Sequence, residues 1–318
     1  MNPYWNAHFF SFLVLFVKRL FLLITGQLPV SELAIDEVQI FAFALIGISC
    51  ALVGTFLVVR KMTMLANSLS HTILIGIVMA FVLARPLFPQ GDQTLNLPLL
   101  LLASFLTALV TTCLTEGLIR LFKVQEDAAI GLIFTTLFAL GVIAVTLLTR
   151  NTHIGVEIIM GNAEALTWHD LKLLLWIFGA NTTLYFLVGQ RLKLISFDEG
   201  FSRSLGMSRN GATYLMMMQV AATAIGGFRA VGVVMILALF TAPILIARLV
   251  TYRLERLILM GSAIATVTAL VSVALARHTL SCYQVALSTS GLFVTLLLVG
   301  YFTVHYGVLI QYGTKDVI

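Results

Sequence analysis

Arg60-Lys-Met-Thr-Met-Leu-Ala-Asn-Ser-Leu-Ser-His71 stands between two long apolar runs. The basic pair Arg60 and Lys61 ends one candidate membrane span, and a polar patch closing on a histidine opens the next. A span built only as an anchor has no use for Asn67, Ser68, Ser70 and His71 at that place. Polar side chains in lipid are costly and usually face a bundle interior or a pathway. The patch therefore points to movement of something across a membrane. Asn67 and His71 are four apart and share one face of a helix. Imidazole suits Zn, Fe, Ni or Cu and can serve Mn, whereas an amide oxygen is a weak, hard ligand. Ser68 and Ser70 can orient the ring. Spacing alone leaves two readings open: a thin metal-contacting site, or a histidine hydrogen-bonded across a helix interface.

The composition around this patch sets the class. Of 318 residues, 60% are hydrophobic and only 10% charged, where a soluble domain carries about 25% charged residues. A span needs roughly 20 predominantly apolar residues. Stretches near 8–26, 38–59, 67–86, 97–119, 128–148, 170–189, 211–228, 230–248, 257–276 and 284–305 qualify, which predicts an all-α, polytopic helical membrane protein with nine or ten spans. The first stretch carries Lys18 and Arg19 and reads as an interfacial amphipathic helix or an uncleaved first span. Its basic pair lies within the apolar run, against a cleaved signal peptide. No sizeable soluble domain is left over, so an ATPase or receptor domain is expected on another chain.

Orientation follows from the basic residues. With the 190–210 connection in the cytoplasm, that side holds Arg60, Lys61, Arg120, Lys123, Arg191, Lys193, Arg203, Arg209, Arg248, Arg253, Arg256 and Lys315, while Arg85, Arg150, Lys172, Arg229 and Arg277 fall outside. This satisfies the positive-inside rule, so the formal charge of +5 reads as topology. The stripe-plus-motif pattern of a nucleic-acid binder is absent. Glu32, Asp36, Glu37, Asp92, Glu157, Glu164 and Asp170 lie outside and read either as solvated loop residues or as a surface that attracts cations or docks a partner. Cys50, Cys113 and Cys282 are far apart, without metal-ligand spacing, and read as small buried hydrophobes. His153, His169 and His278 read as isolated outer loop residues.

Three further segments carry information. In 190–210, Ser196 is expected to N-cap a short helix with Glu199 completing a capping box. Asp198 and Glu199 then stand in its first turn, Phe201 and Leu205 share a face, and Gly206 stops the helix. Such a helix can plug into a groove on another protein. Between Gly226 and Gly232 the glycines permit a tight turn between spans. Pro243 removes a helix hydrogen bond and should kink its span, with Thr241 helping to satisfy the freed backbone. This suits a gate and also occurs in static bundles. Glu126 and Asp127 open another span where negative charge is favoured, and Gly131 is expected to allow close packing. Glu116 is expected to pair with Arg120, one turn on. No G-x-x-x-x-G-K-[ST] loop, H-E-x-x-H or G-x-S-x-G occurs, so the chain is read as no enzyme.

Taken together, four segments resemble the metal-type ABC transporter permeases, the membrane subunits of manganese, zinc and iron importers. The family pattern R-[RK]-M-x-L-x-G-D-A-L-S-H-A-x-L-P-G is matched from Arg60 to Gly76. E-D-x-A-I-G-x-x-F-x-x-x-F-A-L-G is matched from Glu126 to Gly141, and D-x-E-x-A-x-x-L-G from Phe197 to Gly206 with Asp198 and Gly206 aligned. A-V-G-x-x-L-x-x-A-L-x-x-x-P-A-x-x-A-R-L is matched from Ala230 to Leu249. Order and spacing agree over roughly 38–305. The resemblance implies a BtuC-like importer permease domain over 38–318, preceded by the 1–37 segment, in a bacterial inner membrane. It implies that Phe197, Asp198, Glu199, Phe201, Ser202, Leu205 and Gly206 form a coupling helix docking on a cytoplasmic ABC ATPase that binds the ATP. It implies that His71, with Asn67 and Ser70, lines the path of a divalent metal, and that Gly232, Thr241 and Pro243 belong to the moving core. An extracytoplasmic metal-binding protein and a second permease subunit, identical or not, are the further partners. Asn67 stands where the family has an acid, Ala66 and Ile75 replace a glycine and a proline, and Ser288-Thr-Ser-Gly291 stands where relatives often carry P-x-G. A second permease could supply the missing carboxylate.

Rival readings are an ion-coupled secondary transporter, which expects acids at midplane, a permease of the same architecture for a siderophore or corrinoid, and a membrane scaffold.

Overall fold

The computed structural model describes residues 3–5, 7–29, 32–64, 68, 72, 75–76, 78–79, 97–144, 146–147, 163–207 and 209–312. The helices are α1 (Phe9–Ile24), α2 (Ile35–Val59), α3 (Leu97–Leu121), α4 (Glu126–Ala144), α5 (Trp168–Phe197), α6 (Glu199–Ser204), α7 (Arg209–Val231), α8 (Val233–Val250), α9 (Leu254–Tyr283) and α10 (Thr289–Tyr312), with one 3₁₀ turn at Ala163–Ala165. Among the described residues, α2, α4, α5, α9 and α10 each contain a stretch long and apolar enough to cross a membrane. The polytopic all-α expectation therefore holds. Most of the 67–86 stretch lies outside the described residues. Helices α5 and α9 have 30 residues each, about 45 Å at 1.5 Å per residue. They outrun the roughly 30 Å hydrocarbon core.

Helix α2 is the centre of the bundle. Of its most apolar stretch 78% is buried, against 11% for α10. A helix apolar all round is one that other helices surround. Two glycines let neighbours come close. A Cβ on Gly47 would stand 2.8 Å from the Ala265 Cβ of α9, and one on Gly54 would overlap the Phe240 carbonyl oxygen of α8. Gly226 and Gly227 serve the same purpose inside α7, facing Ile177 of α5 and Ile236 of α8. The turn expected from this glycine run is thus made by Gly232 alone, at φ +79° between α7 and α8. Gly131 has nothing within 4 Å of its missing Cβ, so the close packing expected there is not found.

Polar contacts fix the helix directions. At one end, Arg60 after α2 donates to Thr213 Oγ1 of α7 at 3.0 Å, and Lys193 of α5 meets Glu255 of α9 at 3.1 Å. At the other, Gln39 of α2 donates to Thr289 Oγ1 at 2.7 Å and to the Ala163 carbonyl at 3.0 Å. There Arg277 of α9 grips Asp36 of α2, with Nη2–Oδ2 at 2.6 Å and Nε–Oδ1 at 3.1 Å. One residue on, Glu37 accepts from Tyr4 Oη at 2.7 Å, Arg19 Nε at 2.5 Å and the Ala34 N–H at 2.8 Å. Asp36 and Glu37 are 5% and 2% exposed, so the solvated reading of these two acids is overturned. The first turn of α2 draws them into the bundle, where two arginines neutralise them. Burial first, then the Glu37 carboxylate, pushes the Tyr4 phenol well above its usual range.

Helix α1 is held at this same end, through Arg19 to Glu37 and through His8, which precedes it, to Cys282 beyond His278 of α9. At 16 residues it is shorter than a span of roughly 20. Phe12 and Phe16 face the bundle, while Phe10, Val14, Val17 and Phe21 are exposed on the other side.

Candidate functional site

Helix α5 runs on to Phe197 as regular helix, with Ser196 Oγ donating to the Leu192 carbonyl at 2.6 Å. Ser196 is therefore not the cap of the short helix. Asp198 is: its backbone is extended, and its Oδ1 accepts from the Phe201 N–H at 2.8 Å. The long helix takes two more residues than the capping-box reading allowed, and Asp198, a favoured N-cap residue, takes the cap. Glu199 is then the first helical residue. At the other end the Gly206 N–H donates to the Arg203 carbonyl at 2.9 Å and the Met207 N–H to Ser202 at 3.0 Å. With Gly206 at φ +72° this is a Schellman close. A six-residue helix is too short to persist on propensity; two caps hold it.

The caps decide which side chains face outward. Phe197, Phe201 and Leu205 are 60%, 53% and 54% exposed, while Ser202 is 1% exposed and turned into the protein. Beside α6 opens a hollow of about 650 Å³, lined by Tyr185, Gly189, Lys193, Phe197, Asp198 and Glu255. Three apolar side chains at spacing four thus stand exposed next to a hollow with one cation and two carboxylates.

The Arg60–His71 motif starts at this same end. Lys61 sits at φ 59°, in the left-handed seat that glycine usually fills. It turns the chain back toward the bundle, and Met62 N–H closes onto the Leu57 carbonyl at 2.8 Å. Asn67, Ser70 and His71 lie outside the described residues. Their neighbours Ser68 and Thr72 are buried. Gly76 lies against Thr107 and Ala103 of α3, and Ile75 against Gly141 of α4. The motif thus leads into the α3–α4 side of the bundle.

Pro243 sits inside α8. A proline there frees the carbonyl four residues back, that of Leu239. Thr241 Oγ1 instead donates to the Leu237 carbonyl, at 3.1 Å, so it does not satisfy the freed group as expected. The weakened turn lies over Gly54: Phe240 and Ile244 of α8 are the atoms a Cβ there would strike. Glu116 and Arg120 pair as expected, at 2.6 Å.

Several groups escaped the sequence reading. Asn181 of α5 donates to Thr223 Oγ1 of α7 at 2.8 Å, buried at mid-bundle. Cys113 and Cys282 are exposed; only Cys50 is buried. His278 is a helical residue of α9, not a loop residue, and Cys282 lies beside it. Its spacing of four from Cys282 was the available signal.

A bundle of membrane-length helices with a doubly capped surface helix at one end defines a polytopic helical membrane protein. The ABC 3 transport family matches residues 36–307, and the chain belongs to that family. A "Probable metal transport system membrane protein" of Chlamydia muridarum is 37% identical over 301 residues, covering 95% of this chain and 93% of the relative. The "Manganese transport system membrane protein MntD" of Bacillus subtilis is 33% identical, covering 71% and 78%. The solved structure "PsaBC from Streptococcus pneumoniae in complex with Fab" superposes with a TM-score of 0.71 at 21% identity, over 86% of this chain and 92% of that one. This last likeness speaks for the fold.

Proposed function

We propose that this chain is the membrane permease of an ATP-driven importer for a divalent transition metal, manganese, zinc or iron, in a bacterial inner membrane. The observation that carries the proposal is α6, capped by Asp198 and Gly206 so that Phe197, Phe201 and Leu205 project from the bundle. In an ABC-type permease this is the part that a separate ATPase grips, so the α6 end is the cytoplasmic end. Glu199 and Ser202 complete the helix. ATP binds and is hydrolysed on that partner. Movement at α6 reaches the α8 turn at Thr241 and Pro243 through α7 and Gly232, and this turn lies directly on Gly54 of α2.

The metal passes the Asn67–Ser70–His71 patch. One imidazole with weak neighbours suits transit, since a conducting site must release what it binds. A second permease subunit faces this one and brings the carboxylate that Asn67 lacks. A metal-binding protein delivers the ion at the far end, where α1 lies in the membrane interface. The buried acids there, Asp36 and Glu37, are already paired with Arg277 and Arg19, which favours this reading over an ion-coupled carrier that needs titrating acids at midplane.

The test is ATP-dependent uptake of Mn²⁺, Zn²⁺ and Fe²⁺ into proteoliposomes holding this chain, its ATPase, any sister permease and the binding protein. Uptake of one ion that collapses in His71→Ala, with the complex intact, is the expected result. Uptake that survives His71→Ala removes His71 from the path. No ATP-dependent uptake of any of the three overturns the importer reading.

A further inference from the structure

At the end of the bundle opposite α6, three metal-ligating side chains converge. His278 and Cys282 are four apart on α9 and share a face. Cys282 Sγ lies 3.4 Å from His278 Nδ1 and 3.3 Å from Nδ1 of His8, a residue 274 positions away that immediately precedes α1. One ligand atom from each of the three lies within 4.8 Å of the others.

These separations match an ion's demands. A tetrahedral site with Zn–S about 2.3 Å and Zn–N about 2.0–2.1 Å holds sulfur and nitrogen about 3.5 Å apart. Both sulfur–nitrogen edges here, 3.3 and 3.4 Å, are within a few tenths of that. The nitrogen–nitrogen edge also lies within 4.8 Å, and His8 is exposed. We propose that His8, His278 and Cys282 form a site for a borderline-soft transition ion, Zn²⁺ or Co²⁺, distinct from the Asn67–His71 patch. Two imidazoles and one thiolate are the donor set such ions prefer, and a hard ion such as Mn²⁺ is disfavoured. Binding displaces the thiol proton to solvent. A water would complete the fourth position. The bound ion would tie the head of α1 to the last turn of α9, two segments from opposite ends of the chain.

The experiment is Co²⁺ titration of the full chain, purified in detergent and stripped of metal. One Co²⁺ per chain with a thiolate-to-cobalt charge-transfer band is expected. Cys282→Ser should abolish the band. His8→Ala and His278→Ala should each weaken binding by on the order of tenfold or more. Zn²⁺ should displace the cobalt, and Mn²⁺ at the same concentration should not. The band should persist in His71→Ala and in Cys113→Ser, which separates this site from the transport path and from the other exposed thiol. An unchanged thermal transition in Cys282→Ser shows that the fold survives. No charge-transfer band, a band that survives Cys282→Ser, or His8→Ala without effect overturns the site. Metal uptake has no bearing on these outcomes.

Discussion

Arg277→Met should be the most damaging single change at the end of the bundle where α1 lies. Arg277 and Asp36 have side chains only 13% and 7% exposed, and they meet through two guanidinium nitrogens. Removing one partner of such a buried pair leaves an uncompensated charge and costs about 3–5 kcal/mol. At roughly 2–4 °C per kcal/mol for a large chain, thermal unfolding of the detergent-purified protein should fall by about 6–20 °C. Asp36→Asn should fall comparably. The double variant Asp36→Asn/Arg277→Met should lose clearly less than the sum of the two, because neither charge is then stranded. Lys193 and Glu255 are the control. They lie at a similar distance, 3.1 Å, but are 48% and 73% exposed, a class of pair worth about 0–1 kcal/mol. Lys193→Ala should therefore move the transition by no more than a few degrees. Melting followed by intrinsic fluorescence and by loss of the monodisperse elution peak reads all four proteins. Equal shifts for Arg277→Met and Lys193→Ala, or strict additivity in the double variant, would refute the reasoning.

Gly54→Ala should destabilise by about 1–3 kcal/mol through overpacking, since its Cβ meets the Phe240 backbone oxygen. Gly131→Ala, with open space around it, should be neutral or stabilising by up to ~1 kcal/mol, and the same melting assay compares them. Phe201→Asp should weaken association with the ATPase by about 2 kcal/mol or more, roughly 30-fold, without lowering the thermal transition. Pull-down and ATPase stimulation measure it, and undiminished association would remove α6 from the interface. Tyr4→Phe removes a hydrogen bond to the Glu37 carboxylate and should cost about 1.5–3 kcal/mol, read in the same melts.

How much was legible depends on whether a feature is local. Gly206 was readable as a helix stop because a positive φ selects glycine within one turn. The cap at the start of that helix reads as Ser196 and is Asp198, because where α5 ends depends on its packing against the rest of the bundle. Gly226 and Gly227 looked like turn residues for a similar reason. Only the approach of Ile177 and Ile236 from other helices shows that they are contact points. His278 and Cys282 were each passed over as single residues, and His8 could not be joined to them from a distance of 274 positions.

The sequence by itself determined the class. Long apolar runs must form helices in lipid, since every backbone polar group there needs an internal partner. Their order and the basic residues between them follow from composition and spacing, and the four motif segments carry the resemblance to the permease family. Tertiary structure alone decided that α2 is the buried centre and that Asp36 and Glu37 are sheltered rather than solvated. It also decided that α1 is tied to one end of the bundle and that His8 reaches Cys282. Each of these rests on contacts between residues far apart in the chain, and no local periodicity records which distant side chain supplies a partner.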